Sequence, residues 1–311
     1  MFFRKSTTAA AIGEEIVRAT LERFGERGLA ADRFAVTLLL HPSEGRAFGD
    51  GAVPPEGHSY RGDAPFYPCS VIKVFYLVAA QAAFEAGRVA ETAELDRAMH
   101  DMIKWSSNTA TNYIIDILTG TTGDTDLTPA EMQPWIAARN TINAYFHGLG
   151  LPEFAGINVC QKLMDDDRYG RERVFAQLGG NNHNSLTTDA AASMMARILD
   201  GAMVSPARSG IMANYLHRPR DREFVQTSGA QVLGYMGADL PDGAEFWSKA
   251  GWTGWTRDPL ASYRRHDAIH IALPGGRRFT LVAFTQGQEI SADATVMPFI
   301  GRKAADLVAA S

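Results

Sequence analysis

Residues 68–73 read Pro68-Cys69-Ser70-Val71-Ile72-Lys73, and the fold assignment starts from them. Ser70 and Lys73 stand three apart where an apolar run begins, so a helical turn puts them on one face. Val71, Ile72, Val74, Phe75 and Leu77 surround the lysine with apolar groups. Desolvation there favours the neutral amine. A neutral amine beside a hydroxyl can take its proton and leave a nucleophile. The N–H groups at a helix start suit an oxyanion. The same six residues also describe a solvated serine and a snorkelling lysine on an ordinary helix, so other segments must decide.

Two do. Met102-Ile103-Lys104-Trp105-Ser106-Ser107-Asn108-Thr109-Ala110-Thr111-Asn112 puts a second serine and an asparagine at the mouth of a helix. Ser106 can relay a proton between a leaving group and a lysine, and the Asn108 amide can hold a substrate carbonyl. Ser, Asn and Thr before a helix are also ordinary caps. Trp247-Ser248-Lys249-Ala250-Gly251-Trp252-Thr253 reads as a strand. Its glycine allows a close approach of substrate to backbone, although a surface strand can carry such a lysine too.

Outward from these motifs, apolar spacing predicts helices over 12–28, 71–118 (broken at Gly87-Arg88), 135–149, 188–199 and 292–310. Strands are expected over 33–40, 48–53, 245–249, 267–273 and 279–285, the last two joined by the turn Pro274-Gly275-Gly276-Arg277. Residues 124–134 read as an inserted loop punctuated by Pro129 and Pro134. The order is strands, a long helical middle, then strands. The expected class is therefore α+β: an antiparallel sheet lobe from 1–58 and 203–311, a helical lobe from 59–202, and a cleft between them.

Composition narrows the function. The 311 residues carry 30 basic against 35 acidic side chains, a net charge of −5, which argues against a nucleic-acid binder. Arg218, Arg220, Arg222, Arg264 and Arg265 form short clusters that read first as solvated faces. Cys69 and Cys160 cannot build a disulfide framework or a four-ligand zinc site, though one bridge is possible. No run approaches a membrane span. The N-terminal segment lacks a signal-peptide core, so a cytoplasmic protein is expected if that terminus is native and an exported one if a signal was removed.

Taken in order, Ser70-x-x-Lys73, Ser106-Ser107-Asn108 and Lys249-Ala250-Gly251 resemble the S-x-x-K, S-D-N and K-T-G motifs of class A β-lactamases and penicillin-binding serine hydrolases. Asn184-Ser185-Leu186-Thr187-Thr188-Asp189 is similar to the family's N-x-T-T segment, and Leu240-Pro241-Asp242-Gly243 to its Leu-Pro-x-Gly turn. The resemblance implies a β-lactamase/transpeptidase-like fold and an acyl-enzyme on Ser70, with Lys73 as base. Ser106 would shuttle the proton and Asn108 bind the acyl amide. Lys249 would direct positive potential at Ser106 or a substrate carboxylate. Gly251, Trp252 and Thr253 would line the substrate, with the backbone N–H groups of Ser70 and Trp252 as oxyanion hole. The resemblance implies no metal or organic cofactor, and a small-molecule or peptide amide or ester as substrate. A protein acylated once as a sensor, or an acyltransferase or peptidase, is the alternative.

The departures bear on turnover. The family's Glu-x-x-Leu-Asn segment, whose Glu activates the deacylating water, is not found in residues 150–186. Asp165, Asp166, Asp167 and Glu172 are the acidic candidates there, and such a run is also an ordinary solvated turn. Ala250 replaces the hydroxyl that helps hold a β-lactam carboxylate, with Thr253 and Thr256 as possible replacements. Ser107 replaces a buried carboxylate, and 121–135 carries an insertion. Other chemistries find less support. No G-x-S-x-G elbow occurs, and His266 and His270 lie in a strand pattern without H-E-x-x-H. His183 sits in a polar loop. Trp105, Trp252 and Trp255 either wall the cleft or pack it.

Overall fold

A computed structural model describes residues 2–49, 51–163 and 168–311. Strand β1 (Arg4–Lys5) leads into α1 (Thr7–Phe24). Ser6 starts α1 by accepting from the Ala9 N–H, an N-cap. β2 (Phe34–Leu40) and β3 (Glu56–Tyr60) follow. The described residues of 48–53 form no strand. Gly49 and Gly51 take φ of 102° and 71°, values that break an extended run, and the returning strand is β3.

The helical middle comprises α2 (Lys73–Glu85), α3 (Ala93–Lys104), α4 (Asn108–Thr119), α5 (Pro129–Arg139), α6 (Thr141–Gly148), α7 (Gly170–Ala176), α8 (Thr188–Leu199), α9 (Pro206–Leu216) and α10 (Arg222–Gln226). The expected loop over 124–134 is corrected in its second half. Thr128 and Glu131 form a capping box, and Pro129 takes the first helical position, where its missing N–H costs nothing. Pro134 lies inside α5.

The chain closes with β4 (Glu245–Thr253), β5 (Arg264–Ala272), β6 (Arg278–Gln286), α11 (Gln288–Ala292) and α12 (Val296–Ala310). The sheet order is β1-β3-β2-β6-β5-β4. All pairs are antiparallel except β1 with β3. The two ends of the chain meet where β2 pairs with β6, Val36 opposite Ala283, as the split-sheet reading requires.

Side chains alternate across this sheet. Phe34, Val36, Ile269 and Leu281 pack with Ile16 of α1 and Ile300 of α12. Leu39, Ala268, Val282 and Phe284 pack with Ile72, Phe75 and Met194 from the helical side. α2 is buried from Lys73 through Phe84, which marks a central helix. The turn ahead of α2 packs against Gly251 of β4, one of the two edge strands of the sheet. Among the described residues no helix is long and apolar enough to cross a membrane.

Candidate active site

Residues Cys69–Ile72 form a 3₁₀ turn immediately ahead of α2, and Lys73 is the first residue of that helix. Cys69 adopts a left-handed φ of 50° and Ser70 is half-buried. Gly251 of β4 faces this turn. A Cβ there would stand 2.7 Å from the Ser70 nitrogen and from Cys69 Cβ, and 3.0 Å from the Pro68 oxygen. The close approach expected at Gly251 is thus made by the protein's own Ser70 turn. His266 lies opposite Gly251 on β5. Its Nδ1 accepts from the Thr285 N–H at 3.1 Å, so its Nε2 carries the proton and donates to the Tyr67 carbonyl at 3.0 Å. Burial pushes this imidazole down to about 3, which keeps it neutral. Burial also pushes the Cys69 thiol up to about 12, so the cysteine beside Ser70 is a poor nucleophile at neutral pH.

Lys73 and Lys249 are both fully buried, and they converge on Ser106. Lys73 Nζ donates to the Ser106 carbonyl (2.6 Å), Ser106 Oγ (3.2 Å) and Asn108 Oδ1 (2.8 Å). Lys249 Nζ donates to Ser106 Oγ (3.0 Å), the Ala250 carbonyl (2.8 Å) and Gln231 Oε1. Burial first, then the neighbouring Lys73 and Arg218, hold Lys249 well below the usual lysine range. Ser106 is bent into the site by a left-handed φ of 57°. Ser107, not Ser106, performs the capping that the sequence also allowed. Its Oγ accepts from the Ala110 N–H at 3.1 Å and starts α4.

Two residues missed in the sequence complete this frame. Gln231, at φ 53° in the loop before β4, meets the side-chain nitrogen of Lys249. Arg218, read as a solvated side chain, is 1% exposed. Its guanidinium donates to the carbonyls of Ile103 (2.9 Å), Lys104 (3.1 Å) and Ser248 (2.8 Å). It therefore ties the last turn of α3, just before Ser106, to the residue before Lys249. A cation at a helix C-terminus also suits the helix dipole. Arg264 and Arg265 are likewise buried and turned onto carbonyls. These three correct the solvated-face reading, because backbone acceptors do not show in a side-chain pattern.

Other expected residues are placed around the motif cluster. Thr253 Oγ1 donates to the Ala261 carbonyl at 2.7 Å. Thr256 Oγ1 lies 3.0 Å from Ser262 Oγ. Both hydroxyls fold the loop after β4. Trp252 is 49% exposed, with its indole N–H on the Ser291 carbonyl at 2.7 Å. Trp105 packs on Phe224, and Trp255 stacks on Tyr263. His183 Nε2 meets Asp258 Oδ2 at 2.6 Å. His270 Nδ1 lies 2.9 Å from Thr280 Oγ1. Cys69 and Cys160 are both free thiols. A cavity of about 860 Å³, bounded in part by Phe3, His58, Arg61, Glu153 and Asp189, is not lined by Ser70, Lys73, Ser106 or Lys249.

The segment 160–163 within the helical lobe is held by asparagines. Asn112 binds Leu163 in both directions, accepting from its N–H at 2.9 Å and donating to its carbonyl at 2.8 Å. Asn184 Oδ1 accepts from the N–H groups of Cys160 and Gln161 at 3.0 and 2.9 Å. Of the acidic candidates, Asp165, Asp166 and Asp167 lie outside the described residues. Glu172 is buried and forms a bidentate pair with Arg139, at 2.7 and 3.0 Å. Arg139 reaches it from the end of α5, just past the inserted region 121–135.

The family described as the β-lactamase enzyme family matches residues 50–310. No curated protein matches. Among solved structures, a β-lactamase from Sphaerobacter thermophilus DSM 20745 is 18% identical with a TM-score of 0.65, covering 96% of this chain and 98% of that one. PBP-A is 17% identical with a TM-score of 0.61, covering 99% and 98%. A representative class A β-lactamase from Bacteroides cellulosilyticus DSM 14838 is 14% identical with a TM-score of 0.63, covering 96% and 98%.

Proposed function

The chain belongs to the β-lactamase enzyme family, and on that premise we propose that it cleaves an amide or ester through an acyl-enzyme on Ser70. The observation that carries this reading is the convergence of Lys73 and Lys249 on Ser106 Oγ at the start of α2. In its neutral form, with one of its three donated hydrogen bonds given up, the amine of Lys73 takes the Ser70 proton, and Ser70 Oγ attacks the substrate carbonyl. The backbone N–H groups of Ser70 and Trp252 receive the oxyanion. As the scissile bond breaks, Ser106 passes a proton to the departing nitrogen or oxygen and recovers one from the lysine side. Water then releases the acid and restores Ser70.

The second step is the slow one in this reading. Glu172, the described acidic candidate, is engaged by Arg139 rather than left to activate water. That engagement favours a long-lived acyl-enzyme, and with it the sensor alternative. A mutant of PBP-A has been solved as an acyl-enzyme complex with penicillin G, which supports testing a penicillin here. Intact-mass time courses of wild type and Ser70→Ala with benzylpenicillin separate the outcomes. A transient wild-type adduct supports hydrolysis and a persistent one supports the sensor. Rapid turnover, at rates typical of good enzymes, would contradict the slow second step.

A further inference from the structure

We propose that the cavity of about 860 Å³ between the start of α1, β3 and the start of α8 is a second binding site, and that it takes a small organic amine in its ammonium form. Its size is that of a small-molecule pocket. Among the described residues, Glu14, Asp63, Glu153 and Asp189 bring four carboxylates to its wall, against the two cations of Lys5 and Arg61. Arg61 is already turned away to the Asp32 carbonyl, at 2.9 Å, and Lys5 is exposed.

Two of the carboxylates are built into the inner wall. Asp189 Oδ1 accepts from Thr37 Oγ1 at 2.6 Å and from Ser59 Oγ at 2.9 Å, while Oδ2 accepts from none of the described residues. Gly62 makes room for this arrangement. A Cβ there would stand 2.0 Å from Ser59 Oγ and 2.2 Å from Asp189 Oδ1. The Glu153 side chain is only 5% exposed. Its Oε1 accepts from Ser193 Oγ at 2.5 Å and from Arg197 at 3.5 Å. Its Oε2 receives no hydrogen bond from the described residues, yet it is not sealed off. In a side chain this buried, that oxygen opens onto the cavity. A carboxylate oxygen withdrawn from bulk water needs a donor, and Glu153 Oε2 and Asp189 Oδ2 offer acceptors to one from outside the chain. Burial first, then the neighbouring Asp63 and Glu153, push the Asp189 carboxyl above its ordinary range, against the pull of the two hydroxyls. An ammonium placed between them relieves that repulsion.

The remaining wall decides which cation fits. No three histidine, cysteine or acidic side chains among the described residues come together as a metal-binding set, so the site does not suit a bare metal ion. Phe2 and Phe3 supply an apolar end, packed edge to face with ring centres 5.1 Å apart. Aromatic rings accommodate an organic cation and its hydrocarbon body. His58 lines the same space, and burial lowers its imidazole below the usual range, so it adds a neutral polar group rather than a competing charge.

The test is calorimetric titration of the protein with 2-phenylethylammonium, with 2-phenylethanol as the neutral match and 3-phenylpropanoate as the anionic one. Wild type should bind the amine about tenfold or more tightly than the alcohol, and the acid more weakly still. Asp189→Asn and Glu153→Gln keep an oxygen for the Thr37, Ser59 and Ser193 hydroxyls but remove the charge. Each should weaken the amine about tenfold and leave the alcohol unchanged. Circular dichroism reports whether these buried variants fold. Asp63→Asn, at the exposed rim, serves if they do not, and should weaken the amine about threefold. An amine bound no better than the alcohol, or not bound at all, overturns the inference on wild type alone. An amine affinity unchanged in the folded variants overturns it as well.

Discussion

Lys73 and Lys249 donate to the same hydroxyl, Ser106 Oγ, at 3.2 and 3.0 Å, one from α2 and the other from β4. A hydroxyl that accepts from two lysines keeps its own proton for a third group. In the proposed reaction that group is the departing atom of the substrate. Ser106→Ala should therefore slow acylation by an amide about 10²-fold. It should affect a fluorophosphonate far less, because fluoride leaves without a proton. Stopped-flow acylation with both reagents checks this, and equal losses would remove the relay role.

Arg218 joins α3 to β4 through three carbonyls, with no carboxylate partner among the described residues. Arg218→Leu leaves these buried acceptors unpaired, each at a cost of about 1–3 kcal/mol. Urea unfolding should show a stability loss of about 3 kcal/mol or more. A loss under about 1 kcal/mol would mean that the acceptors find other donors.

Glu172 is read as structural. Glu172→Gln removes the charge that pairs with buried Arg139 and should cost about 3 kcal/mol of stability, while the acyl-enzyme lifetime stays as in wild type. A much longer lifetime in the variant would instead make Glu172 the base for deacylation.

His41 is buried with its Nε2 2.9 Å from Thr280 Oγ1, and burial holds it down to about 3. The folded state thus binds its proton later than the unfolded chain does. Its contribution is intact above pH 6.5 and is lost as pH falls from there toward 3. Asp267 acts in the opposite direction. Burial pushes it up to about 6, so its contribution is lost as pH rises from the ordinary carboxylate range through that value. His41→Asn isolates the histidine. Between pH 7.5 and 5 the variant should lose about 2 kcal/mol less stability than wild type, measured by urea unfolding at both pH values. Parallel losses would contradict a neutral buried His41.

Why some of this was legible is a matter of chemistry. Ser70, Lys73, Ser106 and Lys249 stand out in the sequence because the proposed nucleophile, amine and relay demand particular side chains at particular spacings, and the structure brings Lys73, Ser106 and Lys249 together. The split sheet followed from β-rich runs at both ends around a helical middle. Arg218 and Gln231 could not be found that way. The partners of Arg218 are backbone carbonyls, which every sequence supplies, and Gln231 reaches Lys249 from a loop with no periodic pattern. Pro129 misled for a related reason, since the same residue opens a loop or a helix, and only the cap from Thr128 and Glu131 decides. The glycine at 251 predicts a close approach of substrate, whereas the structure puts the Ser70 turn against it.

The most direct measurement is peptide mapping of the fluorophosphonate adduct in wild type, Ser70→Ala and Lys73→Ala. The expected result is a single modified residue, Ser70, in wild type, no adduct in Ser70→Ala, and labelling slowed about 10²-fold or more in Lys73→Ala. An adduct mapped to Ser106 or to another residue, or undiminished labelling of Ser70→Ala, would contradict an acyl-enzyme on Ser70.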